Sequence, residues 1–179
     1  MFKNLLQFWN GKDFLNQVLE DFKNMLDDAE RMFISMSKKL VYNEEQNDLE
    51  NKIYSIDKRV NELERDIRKR IIQHLTIQPS VDVSTCLLLM SVVKDAERIG
   101  DYSKNLFGVS KIMQRPMNIT TYKELFDDMD KDILVLFQET KDAFMQSDEK
   151  KATLAWKYEK KITSSCDKIV GMLAVGNLS

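Results

Sequence analysis

Two carboxylates set the terms for this chain. Glu97 and Asp101 stand four positions apart in the run Lys94-Asp95-Ala96-Glu97-Arg98-Ile99-Gly100-Asp101-Tyr102-Ser103-Lys104-Asn105-Leu106, inside a long helical pattern. That spacing puts both on one helix face, where they can share a hard cation. They can equally be solvated charges, with Arg98 and Lys104 as neighbours. Gly100 lies between them, and a helix-interior glycine costs on the order of 1 kcal/mol relative to alanine. Such a residue is expected where backbone approaches something closely, which favours a site over a solvated face.

A second ladder lies upstream. Asp57 and Asn61 form another pair four positions apart. If the two helices turn around near Pro79, Asp57 lies 22 positions before the turn and Asp101 lies 22 after it, while Asn61 and Glu97 are each 18 away. Both helices rise by ~1.5 Å per residue, so Asp57 should face Asp101 and Asn61 should face Glu97 to within about a turn. Oxygen ligands of this kind suit iron, manganese, magnesium or a carboxylate-bridged zinc cluster. Without a cation, repulsion among the three carboxylates would lift at least one of their pKa values. The competing reading is that Arg59, Arg65 and Arg98 neutralise the acids in interhelical salt bridges.

The elements that must hold these ladders are all helices. From Asp13 to about Val41, apolar residues recur at Leu15, Val18, Leu19, Phe22, Met25, Leu26, Ala29, Met32, Phe33, Met36 and Leu40 with the period of one helix face. Asn43 and Gln46 form a capping-box pattern for a second helix running to about Leu75, on the stripe Leu49, Ile53, Ile56, Val60, Leu63, Ile67 and Ile71. Pro79 interrupts, Ser80 or Asp82 offers a cap, and a third helix extends from about Val83 to Gln114. A loop from Arg115 to Thr121 contains Pro116, and Thr121 with Glu124 is another capping box. A fourth helix is expected over Tyr122 to Gln146 and a fifth from Asp148 to Val175, capped by Ser147. Ahead of them all, residues 1–11 read as a short amphipathic lead with Phe2, Leu5, Leu6, Phe8 and Trp9 before an Asn-Gly breaker. Such a lead packs on its own bundle or on a partner subunit, or dips into a membrane surface.

Composition agrees with an all-α chain. Five glycines and two prolines in 179 residues leave little room for a sheet. A net charge of -2 with interleaved signs argues against a nucleic-acid partner, because Lys150-Lys151 and Lys160-Lys161 are matched by nearby acids. Cys86 and Cys166 lie on apolar helical positions without a second cysteine at ligand spacing, so buried free thiols in a reducing compartment are expected. The longest apolar run, Cys86 to Met90, is far too short to span a bilayer. A cytoplasmic protein is the expectation. His74 is the only histidine, near a helix end where a solvated role is expected. No serine or cysteine has a plausible base partner, and no glycine-rich phosphate loop is present.

Glu-Arg-Ile-Gly-Asp after an apolar helix, with Asn105 four residues beyond the aspartate, resembles the signature of the PhoU family of phosphate-uptake regulators. The likeness takes in Asp57-Lys58-Arg59-Val60-Asn61-Glu62-Leu63-Glu64 and the Pro79 loop, covers about Phe14 to Ile112, and continues more faintly to the end. It implies an antiparallel helical bundle, with a complete three-helix repeat over residues 12–114 and a two-helix partial repeat over residues 121–179. It implies a metal cluster, iron or zinc first, held by Asp57, Asn61, Glu97 and Asp101, with Asn61 standing where the family pattern has an aspartate. The matching pair of the second repeat, Glu159 and Thr163, lacks its second acid, and no third helix follows to complete that site. The hairpin of the last two helices would then carry an unshared apolar face, with Leu134, Phe137, Phe144, Tyr158, Ile162 and Ile169. A second copy in a homodimer, or the remainder of a longer chain, is expected to cover it.

The resemblance further implies a non-enzymatic regulator whose partners are the phosphate transporter at the inner membrane face and a phosphate-sensing histidine kinase. The alternatives are a helical interaction scaffold without metal and a metal-dependent hydrolase or oxidase built on a bundle.

Overall fold

The computed structural model describes residues 13–79 and 83–175. The amphipathic lead, the Ser80 and Asp82 caps and the last four residues lie outside them. Among the described residues six helices follow in order: α1 Asp13–Leu40, α2 Leu49–Ile77, α3 Val83–Ile112, α4 Ile119–Phe126, α5 Met129–Gln146 and α6 Glu149–Ala174. None is long and apolar enough to cross a membrane.

Ion pairs between helices fix their directions. Asp28 and Asp21 of α1 hold Arg59 and Arg70 of α2, so one helix descends as the other rises. Lys104 and Lys111 of α3 hold Asp57 and Glu50 of α2 in the same antiparallel sense. Likewise Asp142 and Asp132 of α5 pair with Lys151 and Lys161 of α6. Helices α1, α2 and α3 pack pairwise into one bundle, α5 lies along α1, and α6 packs on α5.

The expected stripes supply most of the core, with Leu26, Phe33, Leu40, Ile56 and Leu63 half-buried at its edge. Val18, Phe22, Met25, Val60, Ile67 and Leu89 belong to one buried cluster, and Met32, Met36, Ile53 and Phe107 to the next along the bundle. Burying one such side chain contributes about 1.5–3 kcal/mol, and the heptad-like spacing of α2 delivers one every turn or so.

Several local expectations are corrected. The Asn43 and Gln46 pair caps nothing: Asn43 adopts a left-handed backbone with φ 53°, and Gln46 donates to the Ser35 carbonyl at 2.8 Å. Helix α2 starts later, after Asp48. The cap of α4 is Asn118, whose side chain accepts from the Thr120 and Thr121 amides, not Thr121 with Glu124. Asp148 plays that part for α6, while Ser147 closes α5. The single helix expected over Tyr122 to Gln146 is two, broken at Asp127 and Asp128, both left-handed with φ of 47° and 55°. Aspartate tolerates that conformation better than most side chains, which is why the break falls there.

The hairpin face is also less bare than expected. Ile169 is buried, and Leu134, Phe137, Phe144, Tyr158 and Ile162 are half-buried. Part of the cover is α1, where Phe22 meets Phe144 edge to face at 5.1 Å between ring centres. Neither cysteine is in a disulfide; Cys86 is buried, but Cys166 is exposed. His74 is half-buried in the last turn of α2 rather than solvated.

Candidate functional site

Facing positions on α2 and α3 bring Asp57 and Asp101 to one level. The link between them is Lys104, which donates to Asp57 Oδ1 at 2.8 Å and to Asp101 Oδ1 at 2.9 Å. One amine thus ties a carboxylate of each helix. The Asp57 side chain is only 15% exposed and that of Lys104 29%. The hydrogen bond that Lys104 donates to Asp57 raises the Lys104 pKa above its ordinary value, against the opposing effect of burial, and Asp101 adds to the rise.

The other two residues turn elsewhere. Glu97 is buried, and its Oε2 accepts from Lys94 Nζ at 2.6 Å, one turn back on α3. Asn61 donates from its side-chain amide to the Asp57 carbonyl at 2.9 Å, along its own helix. The three arginines offered as neutralising partners are engaged otherwise. Arg59 clasps the buried Asp28 of α1, Arg65 donates to the Asn61 carbonyl, and Arg98 reaches Asp95 and the Tyr102 hydroxyl. Lysines, not arginines, neutralise these ladders.

Gly100 is buried where the three helices meet. A Cβ added there would lie 3.5 Å from Val60 Cγ1 and 3.8 Å from Met32 Sδ, ordinary contacts with side chains. No close approach of backbone demands the glycine, which corrects the expectation drawn from its cost.

The geometry can be set beside known proteins. The PhoU domain matches the chain over residues 15–107, which is just over half its length and almost all of α1, α2 and α3. The chain belongs to the PhoU family. Neither the curated proteins nor the solved structures contain a match. The PhoU domain is a helical bundle, and the family is one of regulators of phosphate transport.

The cluster that the PhoU resemblance implies can be tested against these side chains. Carboxylate and amide oxygens are the right donors for a hard cation. Their arrangement is not: among the described residues no three acids, histidines or cysteines converge on a point that could hold a metal ion. Two ammonium groups already take one oxygen each of Asp57, Asp101 and Glu97, and the Asn61 amide nitrogen donates along its own helix. Asp57, Asn61, Glu97 and Asp101 in this arrangement do not fit a multinuclear cluster. Of the pair expected for a second repeat, Thr163 donates to Glu159 at 3.1 Å on an exposed face of α6.

Between the PhoU-matched residues and the helices that follow them lies a polar centre that motif reading missed. Asp130, at the start of α5, is 5% exposed and accepts from Ser37 Oγ at 2.9 Å, Tyr42 OH at 3.0 Å and Tyr122 OH at 2.8 Å. Its own amide donates back to the Tyr122 oxygen at 3.0 Å. Burial pushes the Asp130 carboxyl up, but the three hydroxyls outweigh it and hold the pKa below the ordinary value. Burial and the same carboxylate push the Tyr122 phenol up. This centre ties the end of α1 to α4 and α5.

Proposed function

We propose that this chain regulates phosphate uptake by docking, not by catalysis. The observation that supports this reading most is the coincidence of the PhoU domain match with the three-helix body α1 to α3, in which Lys104 links Asp57 of α2 to Asp101 of α3. Its partners in this reading are the phosphate transporter at the cytoplasmic face of the inner membrane and a phosphate-sensing histidine kinase. A second copy is the natural cover for α6, which leaves Leu154, Trp156, Val170 and Leu173 exposed. An iron or zinc cluster is not part of the reading, because lysines hold the acids that would bind it.

The test is complementation. The chain is expressed in cells that lack their own PhoU-domain regulator, and a phosphate-starvation reporter is followed in phosphate-rich medium. Restored repression is expected. A reporter that stays fully on in cells with normal levels of the folded chain defeats the reading and favours a helical scaffold with other partners.

A further inference from the structure

We propose that Lys104 is itself the cation of the α2–α3 ladder, so that this chain crosslinks the two helices with a side chain in place of a metal ion. The ammonium sits between one carboxylate of each helix at 2.8 and 2.9 Å, the position a bridging ion would need. It is tethered three residues from Asp101, on the same helix. A tethered group competes at an effective concentration in the millimolar range or above, which a trace metal at micromolar levels does not match. Charge balance points the same way. Asp57, Glu97 and Asp101 meet two ammonium groups, from Lys94 and Lys104, and the fourth ladder position is the neutral Asn61. A dication would have to displace an ammonium that already makes two charge-assisted bonds, gaining in return only two carboxylates and one amide.

Two ordinary consequences of an ion are therefore transferred to a lysine. The crosslink needs no supply of metal, and chelation leaves it in place. Removing the ammonium should expose what it hides: two facing carboxylates, one per helix, free to take a hard ion.

The experiment uses the full chain purified without chelator, with iron, zinc and manganese measured by elemental analysis and melting followed in EDTA and in millimolar MnCl2. Wild type is expected to carry no stoichiometric metal and to melt alike in both. Lys104→Met should melt lower than wild type in EDTA, by about 3 °C for a chain of this size, and regain that loss in MnCl2. Lys104→Arg should behave as wild type, and Asp57→Asn added to Lys104→Met should abolish the manganese response. Stoichiometric metal in wild type, with a melting point that falls on chelation, overturns the proposal. So does a folded Lys104→Met that gains nothing from manganese. If Lys104→Met does not fold, metal content and chelator response of wild type decide alone. Neither readout involves phosphate signalling, so complementation can fail while this result stands, and the reverse.

Discussion

Two carboxylate centres hold this molecule together, and they solve the problem of a negative charge in opposite ways. At Asp57 and Asp101 the charge is met by an opposite charge: a single ammonium, partly open to water, serves both. At Asp130 no ion pair with a cation forms among the described residues. A buried carboxylate is held by three neutral hydroxyls, from Ser37, Tyr42 and Tyr122. The first arrangement costs little desolvation and gains little, as solvent-screened pairs do. The second removes a full charge from water and repays it only with geometry, so every donor counts. The ladder is the place where register is recorded; the hydroxyl cage is the place where the PhoU-matched bundle and the hairpin are fastened to each other.

The largest effect is expected where the charge is buried. Asp130→Ala removes the shared acceptor and strands the hydroxyls of Ser37, Tyr42 and Tyr122, at a cost of about 3 kcal/mol. Urea unfolding of the variant beside wild type measures it. The loss should fall on the junction of α1 with α4 and α5, seen as faster amide exchange in α4 while α2 stays protected. A cost of a few tenths of a kcal/mol would mean that water replaces the carboxylate freely and that the cage fastens nothing.

Opposite ends of the pH scale separate the two centres further. Asp130 has its pKa lowered in the folded chain, so its contribution is complete above the ordinary carboxyl value of 3.8 and is lost as pH falls below it. Lys104 has its pKa raised, so its contribution is complete below the ordinary value of 10.5 and is lost as pH rises through the higher folded value. Wild type and Asp130→Ala should therefore converge in stability on acidification, and wild type and Lys104→Met on alkalinisation, the latter from a gap of only about 1 kcal/mol. Convergence of both pairs at the same end would show that one of the two assignments is wrong.

The two centres also differ in how far the amino-acid sequence discloses them. The register of Asp57 with Asp101 was open to reading because a near-heptad stripe fixes the faces of α2, a proline fixes the turn, and helical rise does the rest. The tie between them was harder, because Lys104 was visible only as a neighbouring charge. A lysine stem can reach along its own helix or across to the next, and spacing does not choose. The hydroxyl cage was out of reach. Its donors stand 93 and 88 residues away at Ser37 and Tyr42, with no shared period, and only Tyr122 is local. The nearest signal was the pair Asp127-Asp128 inside an otherwise helical run, where side chains that favour turns foretell a break. The same limit explains Cys166: an apolar position on a helix says which face it shares, not whether anything covers that face.

The smallest effect bears on why the ladder carries a glycine at all. Gly100 suggested a site because a helix pays for it, yet a methyl group there would rest at 3.5 Å from Val60 and 3.8 Å from Met32, neither a clash. If the ladder is held by Lys104 and by packing alone, Gly100→Ala should stabilise the chain by about 0.5–1 kcal/mol, through the helix preference of alanine and the lower entropy of its unfolded state. Thermal melting in EDTA reads this directly. A destabilised variant would mean that α2 and α3 must come closer than they do here, as they would around a small bridging ion, and would count against the lysine crosslink. Because the expected change is a gain, a variant that merely folds poorly cannot be mistaken for it.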